Sequence, residues 1–332
     1  MFEGQIIPGY HHQPGFHCAS SAIRNVLAFR GIQVSEPTVI GLGRGPGFFY
    51  LIINHHPSRL VHMRHIALEE NFFRTVGLKF QWQETEDAAE ATRLAKASVD
   101  RGLPVLIQTD IAYLPYFNTD QHFPGHAVVI CGYNDEKGEF YVSDTLHPKT
   151  LAVATPDMER ARSAVFPPFV LKNKSFVLED LSGFRIDEAV VCGTIHLWAE
   201  ENLNGIPGLP TPYGVRSLEA LIGDMPGWKE AADWQWSARF TYQIIERRGT
   251  GGAGFRTLYR QFLEEQEERY PALQRLCLSQ DLAVIEDIYH DMAATFRQIS
   301  EGEAPDFSPV MPVLEKLLDR EKDFYQKILV EL

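Results

Sequence analysis

Apolar and polar positions along the chain fall into two regimes. In the first, apolar residues at 19, 22, 23, 26, 27 and 29 form a helical stripe that Gly31 stops. Residues 86–100 are polar and Ala-rich, a predicted helix closed by Arg101-Gly102. A short strand follows over 104–109, a second over 126–133 and a third over 139–144, with a hairpin loop at 134–138 between the last two. Residues 175–178 predict one more strand. Beyond about residue 185 the apolar spacing becomes three and four, predicting helices over 187–203, 215–223, 228–248, 255–270, 272–299 and 309–330. Clusters of Gly, Pro or Asn separate them. The expected architecture is α+β over residues 1–180 and all-helical over 181–332.

The bulk composition narrows the classes. The chain has 332 residues, 45% hydrophobic and 23% charged, the balance of an ordinary globular protein. No apolar run approaches the roughly 18 residues that span a bilayer. The segment from Met1 to Gln5 shows no basic region leading into an apolar stretch, so no signal peptide is expected, and the cytoplasm is the expected compartment. The formal charge of -13 disfavours nucleic acid and anionic membranes as partners. Residues 1–190 carry 17 positive and 21 negative side chains, and residues 191–332 carry 14 and 23, so most of the excess acid is C-terminal. A homo-oligomer is among the expectations, because helical second domains often supply interfaces.

The cysteines, Cys18, Cys131, Cys192 and Cys277, are widely and irregularly spaced, against a disulfide framework or a thiolate zinc site. Cys131, Cys192 and Cys277 read as buried small hydrophobes. Cys18 has different neighbours. Pro14-Gly15-Phe16-His17 leads into the first amphipathic helix, and Cys18 falls in its first turn. There unpaired N–H groups and the positive end of the helix stabilise a thiolate, with His17 alongside. The residues alone leave open that Cys18 is a small residue starting a helix.

Pro124-Gly125-His126 places an imidazole at the mouth of an apolar strand. With the turn centred near residue 136, antiparallel pairing sets position 126 opposite roughly 144 to 146, so Asp144 is close enough to orient His126. Asp110 and Asp120 are alternatives for that role. Tyr113 and Tyr116, in the loop before His126, are candidates to line a substrate pocket, or simply to pack on the core.

A cysteine on an early helix, a histidine on a later strand and an acid on the next strand resemble the papain-like cysteine enzymes. His17-Cys18-Ala19-Ser20-Ser21-Ala22, Gly125-His126-Ala127-Val128-Val129 and Val142-Ser143-Asp144 resemble the N-terminal domain of butirosin biosynthesis protein H and its relatives. The stretch from Gly249 to Tyr259 is similar to the helical domain that follows in that family. The resemblance implies acyl transfer through an acyl-cysteine, with Cys18 as nucleophile, His126 as base and Asp144 as its orienter. It implies a small-molecule amine as acceptor and an acyl carrier protein thioester as donor, and His17 beside the thiol is expected to contact substrate. Papain-like enzymes place a side-chain amide a few residues before the cysteine in the oxyanion hole. Gln13 is the amide here, whereas His12 stands at the expected spacing. Two rival readings use the same residues differently: a cysteine hydrolase with water as acceptor, and a non-catalytic binding module.

No cofactor and no metal are expected. His62 and His65 would suit a metal only if helical, and no His-Glu-x-x-His occurs. Gly41 to Gly47 lacks the lysine of a phosphate loop; beside Phe48-Phe49-Tyr50 it reads as a wall of the active site. The glycines 249–254 read as a helix connector or part of the substrate entrance.

Overall fold

A computed structural model describes residues 6–166 and 169–332. The chain is mixed α+β, with an antiparallel sheet and a helical C-terminal region. Its contacts divide it into two compact units, one built from residues 1–39 and 77–184, the other from 40–76 and 185–332. The chain passes between the units three times, after residues 39, 76 and 184, so the helical unit also takes in residues 40–76 from the N-terminal half.

In the first unit five antiparallel strands stand in the order Leu151–Ala154, Glu139–Ser143, Pro124–Asn134, Val105–Asp110, Ser175–Val177. The central strand is buried continuously from His126 to Tyr133, not on alternate residues. That explains why its sequence reads as an unbroken apolar run. The helix Cys18–Phe29 packs against this strand. Ile23 and Leu27 are fully buried and Val26 nearly so. Burial of each such side chain contributes about 1.5–3 kcal/mol, more than the roughly 1 kcal/mol of an N-cap, so packing fixes where the helix sits and the cap fixes where it starts.

In the second unit the hairpin Pro46–Ile52 with Arg59–Arg64 and the helix Leu68–Thr75 join the C-terminal helices. Backbone groups of the hairpin explain the grouping. Trp198 Nε1 donates to the Pro46 carbonyl (2.8 Å), Arg256 to that of Gly47 (3.0 Å), and Ser217 Oγ accepts from Tyr50 N–H (2.7 Å). Phe48 to Tyr50 are thus core residues of this unit. At the centre, Arg256 and Glu321 form a buried ion pair (2.9 Å), and Tyr289 and Tyr325 donate to the same carboxylate oxygen.

Three expectations change. The helix expected over 228–248 begins at Trp234, after a 3-10 turn, and that over 272–299 is broken at Cys277, whose φ of 51° lies in the left-handed region. Cys277 is exposed and Cys192 half-buried; of the three cysteines expected in the core only Cys131 is buried. His62 lies on a strand and His65 just after it, and His65 Nδ1 instead accepts from Ala67 N–H (3.0 Å).

Candidate active site

The helix Cys18–Phe29 starts at an unusual cap: His17 has extended backbone angles, and its ring accepts from the Ser20 N–H. The buried carboxylate of Glu36 takes the N–H groups of Phe16 (3.0 Å) and His17 (2.8 Å), so the chain entering the helix leaves few donors unpaired. Gly15 is required by space, since a Cβ there would stand 2.5 Å from Glu36 Oε2 and 2.6 Å from Ser21 Cβ.

Polar side chains tie this helix to the end of the Glu139–Ser143 strand. Ser21 Oγ and Thr145 Oγ1 are 2.6 Å apart, and Gly15 N–H donates to the Thr145 carbonyl. Asn25 Nδ2 reaches Ser143 Oγ (3.3 Å). His12 contacts Ser143 Oγ through Nδ1 (2.7 Å) and the His147 carbonyl through Nε2 (2.6 Å). A carbonyl only accepts, so Nε2 carries hydrogen, and the neutral ring must accept the Ser143 hydroxyl at Nδ1. Sequence reasoning missed Ser20, Ser21 and Asn25, for which the available signal was a set of polar residues within an apolar helical stripe, and Glu36, which opens the next helix.

These ties bring Cys18 into hydrogen-bonding reach of both His126 and His17. His126 follows Gly125, whose φ of 106° favours glycine, and its Nε2 lies 2.8 Å from Asp144 Oδ2. Nδ1 is thereby left as the nitrogen for the sulfur. Asp144 stands one residue past its strand, where the hairpin register places it. Tyr116 donates to the same Oδ2 (2.6 Å), and the Phe117 ring packs edge-on against His126 at 5.2 Å between centroids.

Electrostatics follow from these contacts. Burial would raise the Cys18 thiol, but the charge of His17 and hydrogen bonds from His126 and His17 outweigh it and hold the thiol well below its ordinary range. For His126, burial opposes protonation, yet the Asp144 charge and hydrogen bond push it up to about 10. Burial acts against the Asp144 carboxylate too, and His126, then Tyr116, overcome it and lower the group. Burial and the Asp144 charge raise the Tyr116 phenol, which keeps it a donor. The arrangement can hold a thiolate beside an imidazolium, with the sulfur half-buried and open to a carbonyl carbon.

Of the other candidates, Tyr113 has its ring 5.8 Å from that of His122 and 6.0 Å from the Arg160 guanidinium carbon. Gln13 is exposed, with its carbonyl receiving Arg24 and Asn25. Asp110 binds His122 (2.7 Å) instead of His126, and Asp120 is exposed. Among the described residues no group of three or more His, Cys, Asp or Glu is placed to hold a metal ion, and no helix is long and apolar enough to cross a membrane.

No curated protein matches the chain. Two family models do. One, Butirosin biosynthesis protein H, N-terminal, matches residues 17–145, and the other, Domain of unknown function (DUF4872), matches residues 156–328. The first match opens at His17 and closes at Thr145, enclosing the cysteine, the imidazole and the carboxylate described above. With its papain-like fold and both regions in this order, the chain belongs to the family of butirosin biosynthesis protein H.

Proposed function

We propose that this protein is a cysteine-dependent acyltransferase of specialised metabolism. It would move an acyl group from a carrier-protein thioester to a small-molecule amine. The observation that carries the reading is a half-buried thiol in reach of an imidazole that a buried carboxylate orients at 2.8 Å. The family's name, from butirosin biosynthesis, supports transfer over hydrolysis.

In this mechanism the Cys18 thiolate attacks the thioester carbonyl. His126 gives its proton to the departing thiol, leaving an acyl-cysteine. An amine then attacks the same carbon, His126 takes its proton, and the Cys18 thiolate leaves. Asp144 fixes the His126 tautomer and stabilises its charged form, and Tyr116 fixes Asp144. The Cys18 N–H, in the first turn, is one donor to the developing oxyanion. The Gln13 side chain is the proposed second, since His12, at the usual spacing, already has both ring nitrogens occupied. His17 and Tyr116 border the reacting carbon; Tyr113, beside His122, would meet only a more distant part of the substrate. The chemistry needs no cofactor, and the four unpaired thiols suit the cytoplasm.

The test is to mix the protein with a chromogenic thioester and follow both the released thiol and the intact mass. A burst with a stable adduct on Cys18, slow to release until an amine is added, supports transfer. Steady turnover with water identifies a hydrolase. Absence of an adduct points to a binding module. Cys18→Ala should abolish the adduct and leave the fold intact; retained turnover in that variant rejects the mechanism.

A further inference from the structure

The helical unit has a cavity of its own. It measures about 580 Å³ and lies where the helix Glu188–Asn204 gives way, through a loop, to the helix Val215–Asp224. That volume suits a small organic molecule. The loop sequence shapes the wall: three of the eight residues from Gly205 to Pro212 are prolines, which carry a carbonyl but no N–H. Its ends and its middle are nevertheless held. Gly205 N–H donates to the Glu201 carbonyl (2.8 Å), Leu209 N–H to that of Ile206 (3.1 Å) across a turn with a φ of 78° at Gly208, and Gly214 N–H to that of Phe48 (2.9 Å). Tyr213 is buried against Phe49 and His65. The wall is therefore a fixed one, rich in carbonyl acceptors.

Three charged side chains line the cavity: Glu200, Glu201 and Arg216. Glu201 is buried and already balanced, with Arg44 Nε 2.8 Å from its Oε2 and His65 Nε2 3.5 Å from the same oxygen. What it still offers is its second oxygen, an acceptor. Glu200 and Arg216 are exposed, and among the described residues neither forms an ion pair, with the other or with any third group. One cavity thus holds one uncompensated negative and one uncompensated positive charge. The helix ends agree in sign. The two glutamates stand near the carbonyl end of Glu188–Asn204, which attracts cations. Arg216 stands in the first turn of Val215–Asp224, whose N–H end attracts anions and whose cap, Gly214, supplies no side chain. Leu197, Ile206 and Leu209 give the remaining lining an apolar character.

We propose that this cavity binds a small zwitterion, with its primary ammonium group at Glu200 and the second oxygen of Glu201, its carboxylate at Arg216, and an apolar segment between them. A singly charged cation would meet the repulsion of Arg216, and a singly charged anion that of Glu200; a molecule carrying both charges in the right order gains two attractions. An ammonium has three N–H donors, and the glutamates and loop carbonyls supply acceptors for them. The guanidinium can take a carboxylate through two parallel N–H bonds, which sets the direction of binding. The site stands whether or not Cys18 carries acyl groups.

The experiment titrates the full chain calorimetrically with 6-aminohexanoate, dialanine and trialanine, zwitterions that differ in the span between their charges. Hexylamine and hexanoate are the singly charged controls. At least one zwitterion should bind about tenfold or more tightly than either control. Glu200→Gln and Arg216→Gln remove exposed charges and no core packing, and each should weaken that zwitterion about 10- to 100-fold, the worth of one hydrogen bond between charged groups. In Arg216→Gln its advantage over hexylamine should vanish. Absence of binding by all three zwitterions, or a control that binds wild type as tightly as the best of them, would overturn the proposal. So would zwitterion binding that both substitutions leave unchanged, since the ligand would then sit elsewhere on the chain.

Discussion

Two histidine–aspartate pairs sit in one stretch of chain, and of the two the pair at His126 faces a cysteine. His122 meets Asp110 at 2.7 Å and His126 meets Asp144 at 2.8 Å, and both carboxylates are buried. The difference lies in what else each group touches. Asp110 is saturated by the N–H groups of Ala112 and Phe123, and His122 stacks on Phe166 at 4.7 Å, so this pair clamps a loop. Both Tyr116 and His126 converge on Asp144 Oδ2, and the far side of His126 faces Cys18. Short distance and burial are common to both pairs and do not by themselves mark a candidate catalytic one. An imidazole nitrogen left over for a reactive atom does.

Substitutions in and beside the two pairs should separate them, beginning with the largest effect. Asp144→Asn should lower acylation by about 10³- to 10⁴-fold, the cost of a wrong tautomer, whereas Asp110→Asn should change it by less than about tenfold. Similar losses in stopped-flow acylation would erase the distinction. Next, the depressed Cys18 thiol implies that thiolate persists as pH falls below the ordinary thiol range, so alkylation by iodoacetamide should stay near its plateau there. In His126→Asn one of the stabilising partners is gone, and the midpoint should move up; an unmoved midpoint would show that His126 does not hold the thiolate. Tyr116→Phe should cost about tenfold in acylation, near 1.4 kcal/mol, as expected for one hydrogen bond to a charged group. The smallest catalytic effect belongs to His122→Phe, which keeps the stacking surface but leaves Asp110 one donor short. That loss should appear as about 1–3 kcal/mol of stability in a denaturant titration, with the acylation rate nearly unchanged.

Much of the site was legible because its geometry is local. Asp144 was reachable by counting across one hairpin, since a short loop fixes the register of both strands. Cys18 was legible from a helix start, and His126 from the Gly125 before it. The link from Tyr116 to Asp144 was not, because a loop containing Pro115 has no register to count along. Nor were the supports at Ser21, Asn25 and Thr145, which join segments far apart in sequence. In the fold, the Pro46–Ile52 strand escaped notice because it is buried over most of its length and so does not alternate. The break at Cys277 was hidden because apolar spacing continues through it with no Gly or Pro to mark the turn.

The hydrogen bond between Ser21 and Thr145 closes a loop of 124 residues. A contact of that range forms late, after the intervening sheet has been assembled. During synthesis the cysteine emerges first and waits for the strand bearing its imidazole and the carboxylate beyond it. Until they arrive, the nascent polypeptide has His17 beside the thiol but neither His126 nor Asp144, so the charge network around Cys18 is complete only with the domain.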